Sequence, residues 1–147
     1  MVWPEVNGGM RFTGCSSYFV TNNIVAASWH SGFSFPAQKC NDGSPHYGNV
    51  AHSISGYGMI VLGSGDAKCS EFSQFSAYKT RIGSVHMGGG TGSANNFVHD
   101  VVSIDSAEGL MILGGTGGNV EVSDSTIYGG MNMPNLDCPN LDNCGAC

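Results

Sequence analysis

The sequence predicts an all-β fold: a right-handed parallel β-helix of about five coils, with about 25 residues per coil. Three observations carry this. Gly32, Gly58, Gly83 and Gly109 recur at intervals of 26, 25 and 26 residues, and their neighbours recur with them. Apolar residues alternate over short runs, as in Phe33-Ser34-Phe35 and Val120-Glu121-Val122, which is the period of a strand. Glycine-rich stretches such as Gly63-Ser64-Gly65, Gly88-Gly89-Gly90 and Gly114-Gly115-Thr116-Gly117-Gly118 separate those runs and mark corners. The right-handed sense follows from the near-universal hand of crossovers between parallel strands.

The coils follow in order. Residues 1–17 supply a partial preceding coil. The first clear coil covers 18–40, the second 45–69, the third 71–90 and the fourth 95–115. A fifth begins at Asn119 and runs through Val120, Val122 and Ile127 to Tyr128. In each coil, one step after the glycine, stand Phe33, Met59, Ser84 and Leu110, and three steps after it Phe35, Val61, His86 and Ile112. Nine positions before the glycines stand Asn23, Asn49, Gln74 and Asp100. Stacked at about 4.8 Å, these four form a side-chain ladder of amides ending in an acid. The expected division is a β-helix over 1–130 and a Cys-rich, disulfide-stapled loop over 131–147, where Pro-Asn-Leu-Asp occurs twice.

Composition narrows the function. Charged residues are 11% of the chain, against roughly 25% in ordinary soluble domains. The net charge is −6 and no basic run occurs, so nucleic acid is excluded as an expected partner. The apolar runs Met59–Leu62 and Leu110–Leu113 are far too short to enter a bilayer, so no membrane insertion is expected in this segment. The six cysteines, Cys15, Cys40, Cys69, Cys138, Cys144 and Cys147, predict disulfides and an extracellular or cell-surface location. Stacking brings either Cys15–Cys40 or Cys40–Cys69 into bonding range, and Cys40–Cys69 is favoured because both follow their coil glycine. Within the C-terminal trio, Cys138–Cys144 or Cys138–Cys147 is favoured over the tight Cys144–Cys147 loop. The N-terminus lacks the basic start and apolar core of a signal peptide, so the chain reads as a fragment of a longer protein.

Several segments resemble the β-helix region of the fibrocystin-like (polyductin-like) cell-surface proteins, which are related to the cell-surface hyaluronidases. The residues are Asn22-Asn23-Ile24-Val25-Ala26-Ala27-Ser28 before Gly32-Phe33, and Gly48-Asn49-Val50-Ala51-His52-Ser53 before Gly58. Phe75-Ser76-Ala77-Tyr78-Lys79 before Gly83 and Val122-Ser123-Asp124-Ser125-Thr126-Ile127-Tyr128-Gly129 continue it. The resemblance spans about residues 18–138 and implies an extracellular or cell-surface location. Within such a family both structural roles and glycan cleavage occur.

Candidate chemistry is sparse. Were the chain an enzyme, Asp100 and Asp124, in similar phase on adjacent coils, would be the carboxylate pair and His52 the first histidine to replace. His52 aligns with Ala26, Ala77 and Ser103 in the glycine frame, which suits a hydrogen-bonded structural histidine. The five histidines share no phase, so no metal site is expected, and no cofactor. Cys144-Gly145-Ala146-Cys147 lacks the second pair of a metal site. Trp3, Trp29, Tyr47, Tyr57 and Tyr128 are scattered, and a sugar platform would need them in a row. The expected function is a non-catalytic structural rod that self-associates or joins neighbouring domains. The alternative is a glycan-cleaving or glycan-binding module.

Overall fold

The computed structural model describes residues 9–12, 19–36, 46–62, 69–88, 95–113 and 119–129. The chain is all-β. No helix occurs among these residues, and every strand pairing is parallel, as in a β-solenoid. One sheet stacks β1 (Met10–Arg11), β4 (Ser31–Pro36), β7 (Tyr57–Leu62), β9 (Gly83–Gly88) and β11 (Glu108–Ile112) in that order. The other stacks β3 (Ile24–Ala26), β6 (Asn49–Ile54), β8 (Cys69–Thr80), β10 (Asn95–Ser106) and β12 (Val120–Ser123). The strand β13 (Thr126–Gly129) also pairs with β10, and β2 (Val20–Thr21) pairs with β5 (His46–Tyr47).

Two left-handed bends stack from coil to coil among the described residues. Asn22, Gly48, Gln74, Asp100 and Asp124 all take a left-handed backbone, with φ between 48° and 66°. Ala27, Ser53, Lys79 and Asp105 form a second such column, each 26 residues from the next and with φ of 54° or 55°. Left-handed geometry turns an extended chain sharply, and Gly, Asn and Asp accept it at low cost. Four of the five residues in the first column are of those types. Gly48 is doubly constrained, because a Cβ there would also lie 2.4 Å from Asn22 Oδ1.

The core runs between the two sheets as columns of apolar side chains. One column is Phe33, Met59, Val85 and Leu110, and its neighbour is Phe35, Val61, Met87 and Ile112. Facing them, Val25, Ala51, Ala77, Ser103 and Ile127 share a column. Small residues there let the sheets meet closely: a Cβ on Gly58 would stand 3.0 Å from Ala77 Cβ and 2.7 Å from the Ser84 carbonyl oxygen. Phe33 and Phe75 pack edge to face with centroids 6.0 Å apart. Both are buried, and each contributes about 1.5–3 kcal/mol through the apolar surface removed from water.

The glycine frame slips by one residue in the third coil. Gly83 pairs with Tyr57 and Glu108, so Ser84, not Gly83, occupies the position of Gly32 and Gly58. The frame returns at Gly109, because the corner between β10 and β11 is one residue shorter than that between β8 and β9. The shift has a physical cause. A one-residue slip exchanges the two faces of a strand. In the glycine frame Ser84 and His86 would stand among the apolar residues, whereas the observed register places Val85 and Met87 there. Ser84 turns instead to a buried hydroxyl chain. Ser103 and Ser84 lie 2.6 Å apart, Ser84 donates to Ser106 at 2.9 Å, and Thr80 donates to Ser106 at 2.7 Å.

Candidate functional site

The slip splits the expected ladder. Asn23 and Asn49 are true neighbours: the backbone and side-chain nitrogens of Asn23 both donate to Asn49 Oδ1, at 3.1 and 3.2 Å. Asn49 donates in turn to the Val20 carbonyl at 2.6 Å. The next members of that column are Phe75 and Val101, not Gln74 and Asp100. Gln74 and Asp100 belong to the exposed left-handed column one position earlier. The signal that could have placed them is the run Asn22, Gly48, Gln74 and Asp100 at an unbroken spacing of 26, rich in residues that tolerate positive φ.

The residues named for an enzyme do not converge as a set. Asp100 and Asp124 share one column on adjacent coils, as the register of His99 with Ser123 and Val102 with Thr126 requires. His52 is two strands away, in line with Tyr78 and Ile104, not with Ala77 and Ser103. Two strand spacings alone put it roughly 10 Å from Asp100 along the stack. Its ring lies flat on that of Tyr78, with centroids 4.7 Å apart and planes at 7°, and Nδ1 is 3.3 Å from Ser53 Oγ. The aromatic residues Trp29, Tyr47, Tyr57 and Tyr128 lie on different strands and corners, and no row forms among these four; Trp3 lies outside the described residues.

A charged cluster joins Asp100, an expected residue, to Glu71 and His99, which were not among the expected sites. His99 Nε2 is 3.0 Å from Glu71 Oε1, and its Nδ1 is 3.0 Å from Asp100 Oδ2. Carboxylates only accept, so an imidazole with one on each nitrogen is satisfied on both sides only as imidazolium. The two hydrogen bonds, first to Glu71 and then to Asp100, hold the His99 pKa above its ordinary value against the opposing effect of burial. The separation of Glu71 and His99 is 28, one coil plus two residues, which is the diagonal-neighbour spacing of a stack with a 26-residue period.

A second titratable group lies on the other sheet. The Tyr57 ring covers Gly83, whose absent side chain leaves it room, and meets His86 edge-on at 4.8 Å. Burial lowers the pKa of His86, with Glu108 opposing, so this imidazole is held neutral. Burial and then Glu108 raise that of Tyr57.

Among the described residues no group of three or more His, Cys, Asp or Glu side chains is arranged to hold a metal ion. Cys69 pairs through its backbone with Asn95; its side chain, the other five cysteines and the C-terminal loop lie outside the described residues, and the disulfide pairings with them. No helix among the described residues is long and apolar enough to cross a membrane. Comparison with known protein families, with curated proteins and with solved structures returned no match.

Proposed function

We propose that the chain is a non-catalytic structural segment of an extracellular or cell-surface protein, a rigid β-helical rod that stacks or assembles. One observation carries this reading: polar and aromatic side chains along the described strands are engaged with the next coil. Asn23 bonds Asn49, Glu71 bonds His99, Thr80 bonds Ser106, and His52 stacks on Tyr78, each across one strand step. Contacts of this kind stiffen a stack in which each coil touches only its neighbours.

The last described coil also has a form suited to extension. Asn96 and Val98 are buried, yet their partners on the last coil, Val120 and Val122, are 48% and 44% exposed. Ile127 is 49% exposed where its partner Ser103 is buried. The strands β11, β12 and β13 each pair on one side only among the described residues, which leaves ladder groups free. A further coil, from a second copy or a neighbouring domain, would cover both the apolar residues and the strand edge.

The alternative reading, glycan cleavage, is favoured by the shared column of Asp100 and Asp124. A carboxylate pair about 5–5.5 Å apart serves a retaining glycosidase, and a wider pair an inverting one. Against it, Asp100 is already bound by His99. The test is direct. Purified chain is examined by electron microscopy and sedimentation, and incubated with hyaluronan and neutral polysaccharides. Rods or concentration-dependent assembly without cleavage support the structural reading. Cleavage lost in Asp100→Asn or Asp124→Asn overturns it. Peptide mapping without reductant tests the extracellular assignment, which fails if all six cysteines are free thiols.

A further inference from the structure

The environment of His99 extends beyond its two bonds. Glu71 on β8 and Glu121 on β12 are both register partners of Phe97, so they flank His99 from below and above at the same offset. Glu121 alternates with the inward-facing Val120 and Val122 and so lies on the same outer side of the sheet as His99. At the bend, Asp100 is followed on the next coil by Asp124. Among the described residues the charged groups around His99 are therefore Glu71 from β8, Asp100 beside it, and Glu121 and Asp124 from the coil of β12 and β13. All four are acids. Residues 95–129 contain no Lys or Arg, so His99 is the one side chain of that stretch that can become cationic near neutral pH.

We propose that His99 is a pH-operated clasp on the final coil: protonated, it joins Glu71 to Asp100 and offsets Glu121 and Asp124, and deprotonated, it releases β12 and β13. The chemistry is simple. With the proton on, both ring nitrogens donate and the local charge is reduced by one. With it off, one nitrogen presents a lone pair to a carboxylate, and four acids on three neighbouring coils face one another uncompensated. The coil that yields is the one held on a single side. Among the described residues both β12 and β13 pair only with β10, and Val120, Val122, Ile127 and Tyr128 are all more than two-fifths exposed. Where the final coil meets another coil, this fastening sets the pH range in which that meeting surface is ordered. The inference concerns the coil itself and holds under either reading of function.

The sign follows from the raised value of His99. Its contribution is complete below the unfolded histidine value of about 6.5 and disappears as pH rises through the folded one. The test pairs an NMR titration of the His99 ring with amide-exchange protection factors in β12 and β13, using those in β9 as the internal reference. In the unsubstituted chain, protection in β12 and β13 should fall about tenfold as His99 loses its proton, while β9 keeps its own level. His99→Gln should hold the low level at every pH. Glu71→Gln should lower the titration midpoint, and Glu121→Gln should restore protection on the alkaline side. If His99→Gln fails to fold, the two glutamate variants decide. Protection that stays constant while His99 titrates overturns the clasp. So does a pH dependence that survives in His99→Gln or is unchanged in both glutamate variants.

Discussion

Asn49 accepts two hydrogen bonds from Asn23 of the preceding coil through a single oxygen, and it is buried while doing so. Its own amide nitrogen donates to the Val20 carbonyl. Replacing Asn49 by Ala strands a backbone N–H and a carbonyl at once, at a cost of about 1–3 kcal/mol. Asn23→Ala, in a more exposed position, should cost less. Urea denaturation measures both, with the midpoint moving and the slope unchanged. Equal costs would show that the buried oxygen is not the critical partner.

The left-handed column predicts opposite responses at two of its members. Gly48→Ala forces a side chain into positive φ and against Asn22, and should destabilise by about 1–2 kcal/mol. Gln74→Asn places at φ 54° a residue that tolerates it, and should be neutral or stabilising by up to about 1 kcal/mol. Thermal unfolding separates the two. A destabilised Gln74→Asn would remove Gln74 from the column.

The two histidines bias stability in opposite directions. His86 is held neutral by burial, so its contribution is present above about pH 6.5 and is lost as pH falls through its lowered value. His99 behaves in the reverse sense, with its contribution lost as pH rises. The penalty of His86→Leu should therefore be larger at about pH 8 than at about pH 5, and that of His99→Gln smaller. Denaturation midpoints at both values check this. The same trend in both variants would contradict the assignment.

The open coil predicts a surface effect without a core effect. Val122 is 44% exposed and its partner Val98 is buried. Val98→Ala should cost about 1–3 kcal/mol, within the range for core truncations. Val122→Glu, at an inward-facing position already 44% exposed, should cost less in monomer stability than Val98→Ala. Sedimentation should show self-association weakened in Val122→Glu. Undiminished association would place the contact elsewhere on the rod.

The solenoid was legible because its repeat is written twice, in glycine spacing and in apolar alternation. Around β4 and β7, Phe33 with Met59 and Phe35 with Val61 follow the 26-residue step in sequence and in register alike. The site was less legible. Asn23 and Asn49 fall on the undisturbed part of the repeat, whereas Gln74, Asp100 and the neighbours of His52 fall beyond the slip. Glu71 and His99 sit a coil and two residues apart, a diagonal that same-phase alignment does not connect.

By itself, the sequence determined that short strands alternate with glycine corners at a near-constant period, and this suffices for a parallel stack of coils. Only the tertiary structure decided the register within the third coil. A corner can absorb one residue without breaking the stack, so the spacing between glycines does not say on which side of Gly83 the residue is missing. Packing decides it. Val85 and Met87 complete the apolar columns, Ser84 joins the buried hydroxyls, and the ring of Tyr57 lies over Gly83. That choice of face, made by burial, carries Gln74 and Asp100 to the outer bend and leaves Asp100 beside His99.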